Sequence, residues 1–94
     1  MEEVEALIDR VVRERFKDVA IQSVAVSKDT DYEDQAVFRV TVIFDKRGPL
    51  DAHKTAGIVR HLRHSLLDEL QESTFPIVAF VSKSDAARMG TEAA

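Results

Sequence analysis

Residues 36–44 alternate without interruption between an apolar set of side chains and a set that contains both apolar and polar side chains. One face of this segment is entirely apolar and consists of Phe38, Val40, Val42 and Phe44. The opposite face consists of Val37, Arg39, Thr41 and Ile43. Successive side chains of a strand point to opposite faces of a sheet, so the pattern predicts a β-strand with one face in the core. An apolar strand face of this kind has to be buried against another element.

Changes in the hydrophobic period predict four further elements. They are a helix over 2–17, a strand over 20–28, a helix over about 51–72 and a strand over 77–83. The alternation of the first strand slips once, which predicts a β-bulge near Gln22–Ser23. Asp51 is the natural N-cap of the second helix, and Pro76 stands where the last strand should start. On the second helix we expect an apolar arc of Ala52, Ala56, Val59, Leu62, Leu66 and Leu70.

The order α-β-β-α-β predicts an α+β fold with a three-stranded mixed sheet and two helices packed on one face. The second helix is long enough to return the chain, so the third strand should run parallel to the second. We expect a single domain over residues 1–94 with an ordered core of about 2–89. A short turn should run from Ser84 through Met89, followed by a frayed tail over 90–94.

The amino-acid composition excludes several kinds of site and indicates where in the cell the protein acts. Cysteine is absent, which excludes disulfides, thiolate metal sites and a cysteine nucleophile. The longest uncharged apolar run, residues 75–81, is far short of the about 20 residues that a membrane span needs. The N-terminus is acidic where a signal peptide would be basic. We therefore expect a bacterial, cytoplasmic protein that does not contact membranes and needs no cofactor.

Charge is segregated along the chain. The net charge is −4. Residues 46–64 contain Lys46, Arg47, Lys54, Arg60 and Arg63 against Asp51 alone, a balance of +4, so the rest of the chain carries −8. Such a layout allows one face to meet a phosphate backbone or an acidic protein while the remaining surface repels it.

A ridge on the second helix is the main candidate site. His53, Arg60 and His64 fall within about 40° of one another at 3.6 residues per turn, and Gly57 lies between them. A glycine there would let a phosphate approach the helix closely, although it costs about 1 kcal/mol relative to alanine. A kink or close packing would also explain it, and the charges could simply be solvated. Arg63 falls in the apolar arc, where we expect it to snorkel or to pair with a carboxylate.

The sequence gives weaker support to a metal site, a calcium loop or a catalytic serine. His61, His64 and Asp68 share a helix face, but three ligands from one exposed helix make a poor metal cage. The acidic loop over 29–34 lacks the glycine and the glutamate of a calcium loop. Ser65 and His61 are one turn apart without a group to orient the histidine. We therefore expect neither a metal site nor an enzyme.

One stretch of the second helix resembles a known family. The segment Thr55-Ala56-Gly57-Ile58-Val59-Arg60, continued by Leu62 and Leu66, is similar to the kinked Ala-x-Gly helix of type II KH-like domains, within them the ribosome-binding factor A family. Pro76, Phe80, Asp85 and residues 24–29 match neighbouring parts of that pattern, and the resemblance covers roughly residues 18–85. It implies a KH-like fold that binds ribosomal RNA or the small ribosomal subunit. The chain departs from the family at Thr55, in its net acidic charge and in its acidic hairpin loop.

Two functions remain open from the sequence. The first is RNA or ribosome binding, in which phosphates meet Lys46, Arg47, Lys54, Gly57, Arg60 and His64. The second is a protein-interaction module or a homodimer that uses the open face of the sheet, namely Val37, Arg39, Thr41 and Ile43. The basic stretch and the Gly57–Arg60 spacing favour the first.

Overall fold

The computed structural model describes residues 1–46 and 49–87 and contains the five expected elements in the expected order. They are α1 (Glu2–Arg15), β1 (Ala20–Thr30), β2 (Ala36–Asp45), α2 (Ala52–Leu70) and β3 (Phe75–Ser82). The predicted α+β class with its three-stranded mixed sheet is thereby confirmed. Met89 and the tail over 90–94 lie outside the described residues. Among the described helices, none has the length and apolar character to cross a membrane.

The sheet has the order β1-β2-β3, with β2 in the centre. β1 and β2 are antiparallel, and β3 runs parallel to β2 after the chain returns through α2. The register shifts between Ile21 and Ser23, which confirms the predicted bulge. β3 starts at Phe75, two residues earlier than predicted, so Pro76 lies inside the strand. Because β3 is an edge strand, the missing amide hydrogen of the proline is tolerated there.

Both helices cover one face of the sheet. The core combines side chains from α1, β2 and α2, among them Ile8, Val12, Phe16, Phe38, Val40, Val42, Ile58, Leu62 and Leu66. Phe16, just after α1, meets Phe80 of β3 edge to face, with ring centroids 5.4 Å apart. Each fully buried large apolar side chain contributes about 1.5–3 kcal/mol. Both helices pack on the apolar face of β2, which lies at the centre of this core.

The buried stripe of α2 differs from the predicted arc. Its fully buried residues are Ile58, Leu62 and Leu66, whereas Ala52 and Ala56 are exposed. At 3.6 residues per turn this is a rotation of about 60° from the predicted arc. The reason is that burying the larger Ile58 side chain removes more apolar area from water than burying two alanines. The rotation decides which charged residues of α2 reach the outside.

The two ends of α2 are well defined. The Asp51 carboxylate accepts hydrogen bonds from the backbone amides of His53 (2.9 Å) and Lys54 (3.1 Å), which confirms it as the N-cap. Gln71 ends the helix in the left-handed conformation, with φ of 50°. The amide of Glu72 then donates to the carbonyl oxygen of Leu66 at 3.0 Å. This bond holds the connection to β3 beside the last turns of the helix.

Candidate functional site

A groove of about 500 Å³ lies between the outside of α2 and the connection that leads to β3. We call it the outer groove. It is lined by Ala56, Val59, Arg60, Arg63, His64, Leu67, Glu72, Ser73 and Thr74. Three other surface grooves within the described residues have similar volumes, so the lining residues and not the size distinguish the outer groove. Its basic residues come from α2, whereas its acidic residue, Glu72, comes from the connection.

Three basic side chains of α2 are exposed in this groove. Arg60 and His64 are four residues apart and therefore lie on the same side of the helix. The guanidinium carbon of Arg63 lies 5.0 Å from the centre of the Phe75 ring, a cation–π contact. The prediction that Arg63 would lie in the apolar arc was wrong. The rotation of α2 brings its side chain to the surface beside Phe75.

Arg60 and Arg63 differ from the other arginines that the structure describes in having no hydrogen-bond acceptor within residues 1–46 and 49–87. The other four donate to Glu69 (from Arg10, 2.5 Å), Asp9 (from Arg13, 2.6 Å), the Lys54 carbonyl (from Arg15, 2.7 Å) and Asp29 (from Arg39, 2.5 Å). A guanidinium offers five donors in a planar fork that matches carboxylate and phosphate groups. The outer groove thus gathers two guanidinium groups whose donors are available to a ligand.

Glu72 is held in place by its neighbour Thr74. The hydroxyl of Thr74 donates to Glu72 Oε2 at 2.6 Å, and its amide donates to the same oxygen at 3.2 Å. These bonds lower the pKa of Glu72, and the nearby charge of Lys28 lowers it further. Glu72 is therefore ionised at neutral pH. Glu72 therefore adds a carboxylate to the lining of the outer groove, and the same residue also lines a second groove beside the start of α1.

Gly57 faces α1 rather than the outer groove. The guanidinium of Arg15 occupies the space beside it, where Nε donates to the Lys54 carbonyl at 2.7 Å and Nη2 donates to the His53 carbonyl at 3.3 Å. A Cβ atom at position 57 would collide with Nη2 and lie 3.3 Å from Cζ. Of the explanations considered for this glycine, the geometry supports close packing, because Arg15 already fills the gap that a phosphate would need.

Two other predicted cations, Lys46 and Lys54, both lie near Asp18, beside the start of α2. Lys54 pairs with Asp18 through Nζ and Oδ1, 3.2 Å apart. This bond lowers the pKa of Asp18, and the charge of Lys46 adds to the effect. Lys46 itself donates to the carbonyl of Pro49 at 3.2 Å. Arg47 lies outside the described residues. Of the predicted residues that the structure describes, Arg60 and His64 alone line the outer groove.

Of the three other patterns considered from the sequence, the histidine set is separated and the acidic loop is used locally. His61 lines a different groove, between α1 and α2, whereas His64 lines the outer groove. Among residues 1–46 and 49–87, no three histidine or acidic side chains come close enough together to hold a metal ion. In the hairpin loop, Asp31 Oδ1 accepts from the amides of Glu33 (2.8 Å) and Gln35 (3.0 Å). That aspartate stabilises the turn.

The open face of the sheet is only partly exposed. Val37 is buried, with 3% of its surface accessible, and Thr41 and Ile43 are half-buried. Arg39 is exposed and pairs with Asp29 of β1 at 2.5 Å. Beside them on β3, Ile77 is in register with Arg39 and is 38% exposed. This face therefore has an ion pair on the β1 side and an apolar residue on the β3 side.

Sequence reasoning missed the contribution of Arg63, Leu67 and Glu72 to the outer groove. Leu67 is 58% exposed although it lies in a helix with an apolar stripe. The available signal was the position of Arg63 and Leu67, one turn apart, followed by the reversal of the chain after residue 71. Comparisons of the chain with protein-family models, curated proteins and solved structures found no match. The resemblance to the ribosome-binding factor A family stays a prediction.

Proposed function

We propose that the protein is a binding module that holds single-stranded RNA in the outer groove. The observation that carries this proposal is the pair of arginines, Arg60 and Arg63, that lack acceptors among the described residues and line the same groove. Proteins bind single-stranded nucleic acid by combining a positively charged groove with aromatic side chains on which bases stack. The outer groove supplies the cationic side chains, and Phe75 lies beside it in contact with Arg63.

Different side chains of the outer groove would contact the phosphates and the bases of the RNA. Arg60 and His64 would contact phosphates, since both are exposed on one side of α2. Val59 and the exposed Leu67 supply apolar surface for a base or a ribose. Phe75, which is 44% exposed, lies beyond the groove under the guanidinium of Arg63. Such contacts position a strand without reading its sequence.

The charge balance of the chain favours a single, salt-sensitive contact region. The net charge is −4, so surfaces outside the basic stretch repel a polyanion. Lys54 is already paired with Asp18, whereas Arg60 and Arg63 have no ion-pair partner among the described residues. We expect modest affinity that falls steeply as salt rises. Ribosomal RNA in the cytoplasm is the RNA that the family resemblance favours.

An amide NMR titration with a short unstructured RNA tests the proposal. Shifts should cluster in residues 56–67 and 72–75 at low salt and fade at higher salt. Arg60→Glu should abolish them, whereas Lys17→Glu, the same charge change at an exposed lysine outside the groove, should retain them. Shifts scattered over the whole chain, or equal loss in both variants, would contradict an RNA site in the groove.

A second candidate function is self-association through the open face of the sheet. The observation in its favour is Ile77, which is 38% exposed on β3 beside the half-buried part of β2. A homodimer would remove this apolar surface from water. Sedimentation at high protein concentration would then detect a dimer that Ile43→Asp dissociates. A monodisperse monomer under those conditions would exclude this candidate.

A further inference from the structure

Arg63 presents a flat cationic surface next to the outer groove. Its guanidinium carbon lies 5.0 Å from the centre of the Phe75 ring, within cation–π distance. The residue is exposed and has no hydrogen-bond acceptor among the described residues. Unpaired bases stack on guanidinium planes as they do on aromatic rings. The Arg63–Phe75 pair is therefore suited to one nucleobase.

Glu72 adds an acceptor to the same groove. Thr74 donates twice to Oε2, and the amide of Ser73 also donates to this carboxylate. A carboxylate has about four acceptor positions, so one is left for a donor from a ligand. The backbone of Glu72 is also fixed, since its amide donates to the Leu66 carbonyl at 3.0 Å. A carboxylate lowers the affinity of a groove for phosphates. The Glu72 carboxylate, held in a fixed position, can instead accept a hydrogen bond from the ligand.

We infer that the outer groove selects a base that carries an exocyclic amino group, namely adenine, cytosine or guanine, over uracil. The base stacks on Arg63, and its amino group donates to Glu72, as carboxylates do with the amino group of cytosine. The one donor on the pairing edge of uracil lies between two carbonyl oxygens, which a carboxylate repels. This inference rests on the proposed RNA binding and adds the class of base to it.

Fluorescence anisotropy with the oligonucleotides rC8, rA8 and rU8 at low salt tests the inference. We expect the native protein to bind rC8 and rA8 about fivefold or more tightly than rU8. Glu72→Gln should bring the ratio of affinities close to one while strengthening binding to rU8, because it removes the negative charge. Asp68→Asn is the matched control, since it makes the same charge change on α2 outside the groove and should keep the ratio.

The possible results distinguish a failure of the base preference from a failure of RNA binding itself. Equal affinity of the native protein for rC8 and rU8 would overturn the base preference and leave RNA binding intact. A preference that persists in Glu72→Gln would also overturn the assigned role of that carboxylate. Absence of binding to all three oligonucleotides would overturn RNA binding itself, and the base preference with it.

Discussion

The guanidinium of Arg15 fills the space that a side chain would occupy at Gly57. It reaches across from the end of α1 and donates to the carbonyl oxygens of Lys54 and His53, at 2.7 and 3.3 Å. A glycine inside a helix costs about 1 kcal/mol relative to alanine. Here that cost is offset by a contact that ties the two helices together.

Gly57 and Arg15 should therefore be energetically coupled. In a background with Arg15→Ala, Gly57→Ala should stabilise the protein by about 1 kcal/mol, the gain in helix propensity. In the native background the gain should be lost, since the new methyl group displaces the guanidinium from its hydrogen bonds. Urea unfolding of the four proteins gives the coupling energy. The same effect of Gly57→Ala in both backgrounds would show that the contact contributes nothing.

The position of α2 on the sheet can be tested with two leucines of one helix. Leu62→Ala should destabilise the protein by about 2–5 kcal/mol, because it leaves a cavity beneath the helix. Leu67→Ala should change the unfolding free energy by no more than about 0.5 kcal/mol, because Leu67 is exposed in the outer groove. Urea unfolding measures both. Similar losses at the two positions would mean that α2 is rotated differently.

The cap of α2 predicts a defined response to acid. The amide of Lys54 donates to Asp51 and lowers the pKa of that carboxyl, and the amide of His53 acts in the same sense. A lowered pKa in the folded state means that the stabilisation is present above the unfolded pKa, about 4. It is lost as the pH falls through the lower, folded value.

Replacement of the cap separates its charge from its hydrogen bonds. Asp51→Asn can still accept from both amides but does not titrate. Between pH 5 and pH 2, thermal denaturation should therefore show a smaller loss of stability in Asp51→Asn than in the native protein. Parallel curves for the two proteins would argue against any contribution of the Asp51 charge to the cap.

Most of the fold could be predicted from local sequence patterns, but the outer groove could not. Alternation in β2 requires only neighbouring residues, and the slip at Gln22 is visible in the same way. The rotation of α2 depends on how side-chain volumes fit against α1 and the sheet. Periodicity alone cannot choose between overlapping apolar arcs of one helix.

The availability of the arginines depends on contacts that are distant in sequence. Arg10 pairs with Glu69 across 59 positions, and Arg15 bonds a carbonyl 39 positions away. Net charge along the chain cannot reveal which cations are already paired. The contact between Arg63 and Phe75 likewise exists only because the chain reverses at Gln71.

Arg60 and Arg63 have no acceptor among the described residues, whereas the other four described arginines are occupied. The proposed RNA binding depends on this difference. The most direct measurement is the salt dependence of affinity for a short unstructured RNA, from about 50 to 200 mM salt. Arg60→Ala should weaken binding and reduce the slope of log affinity against log salt by about 0.7, one phosphate contact. Arg13→Ala makes the same charge change but removes a guanidinium bound to Asp9, so it should leave the slope unchanged. Equal slopes in all three proteins would contradict the proposed RNA binding.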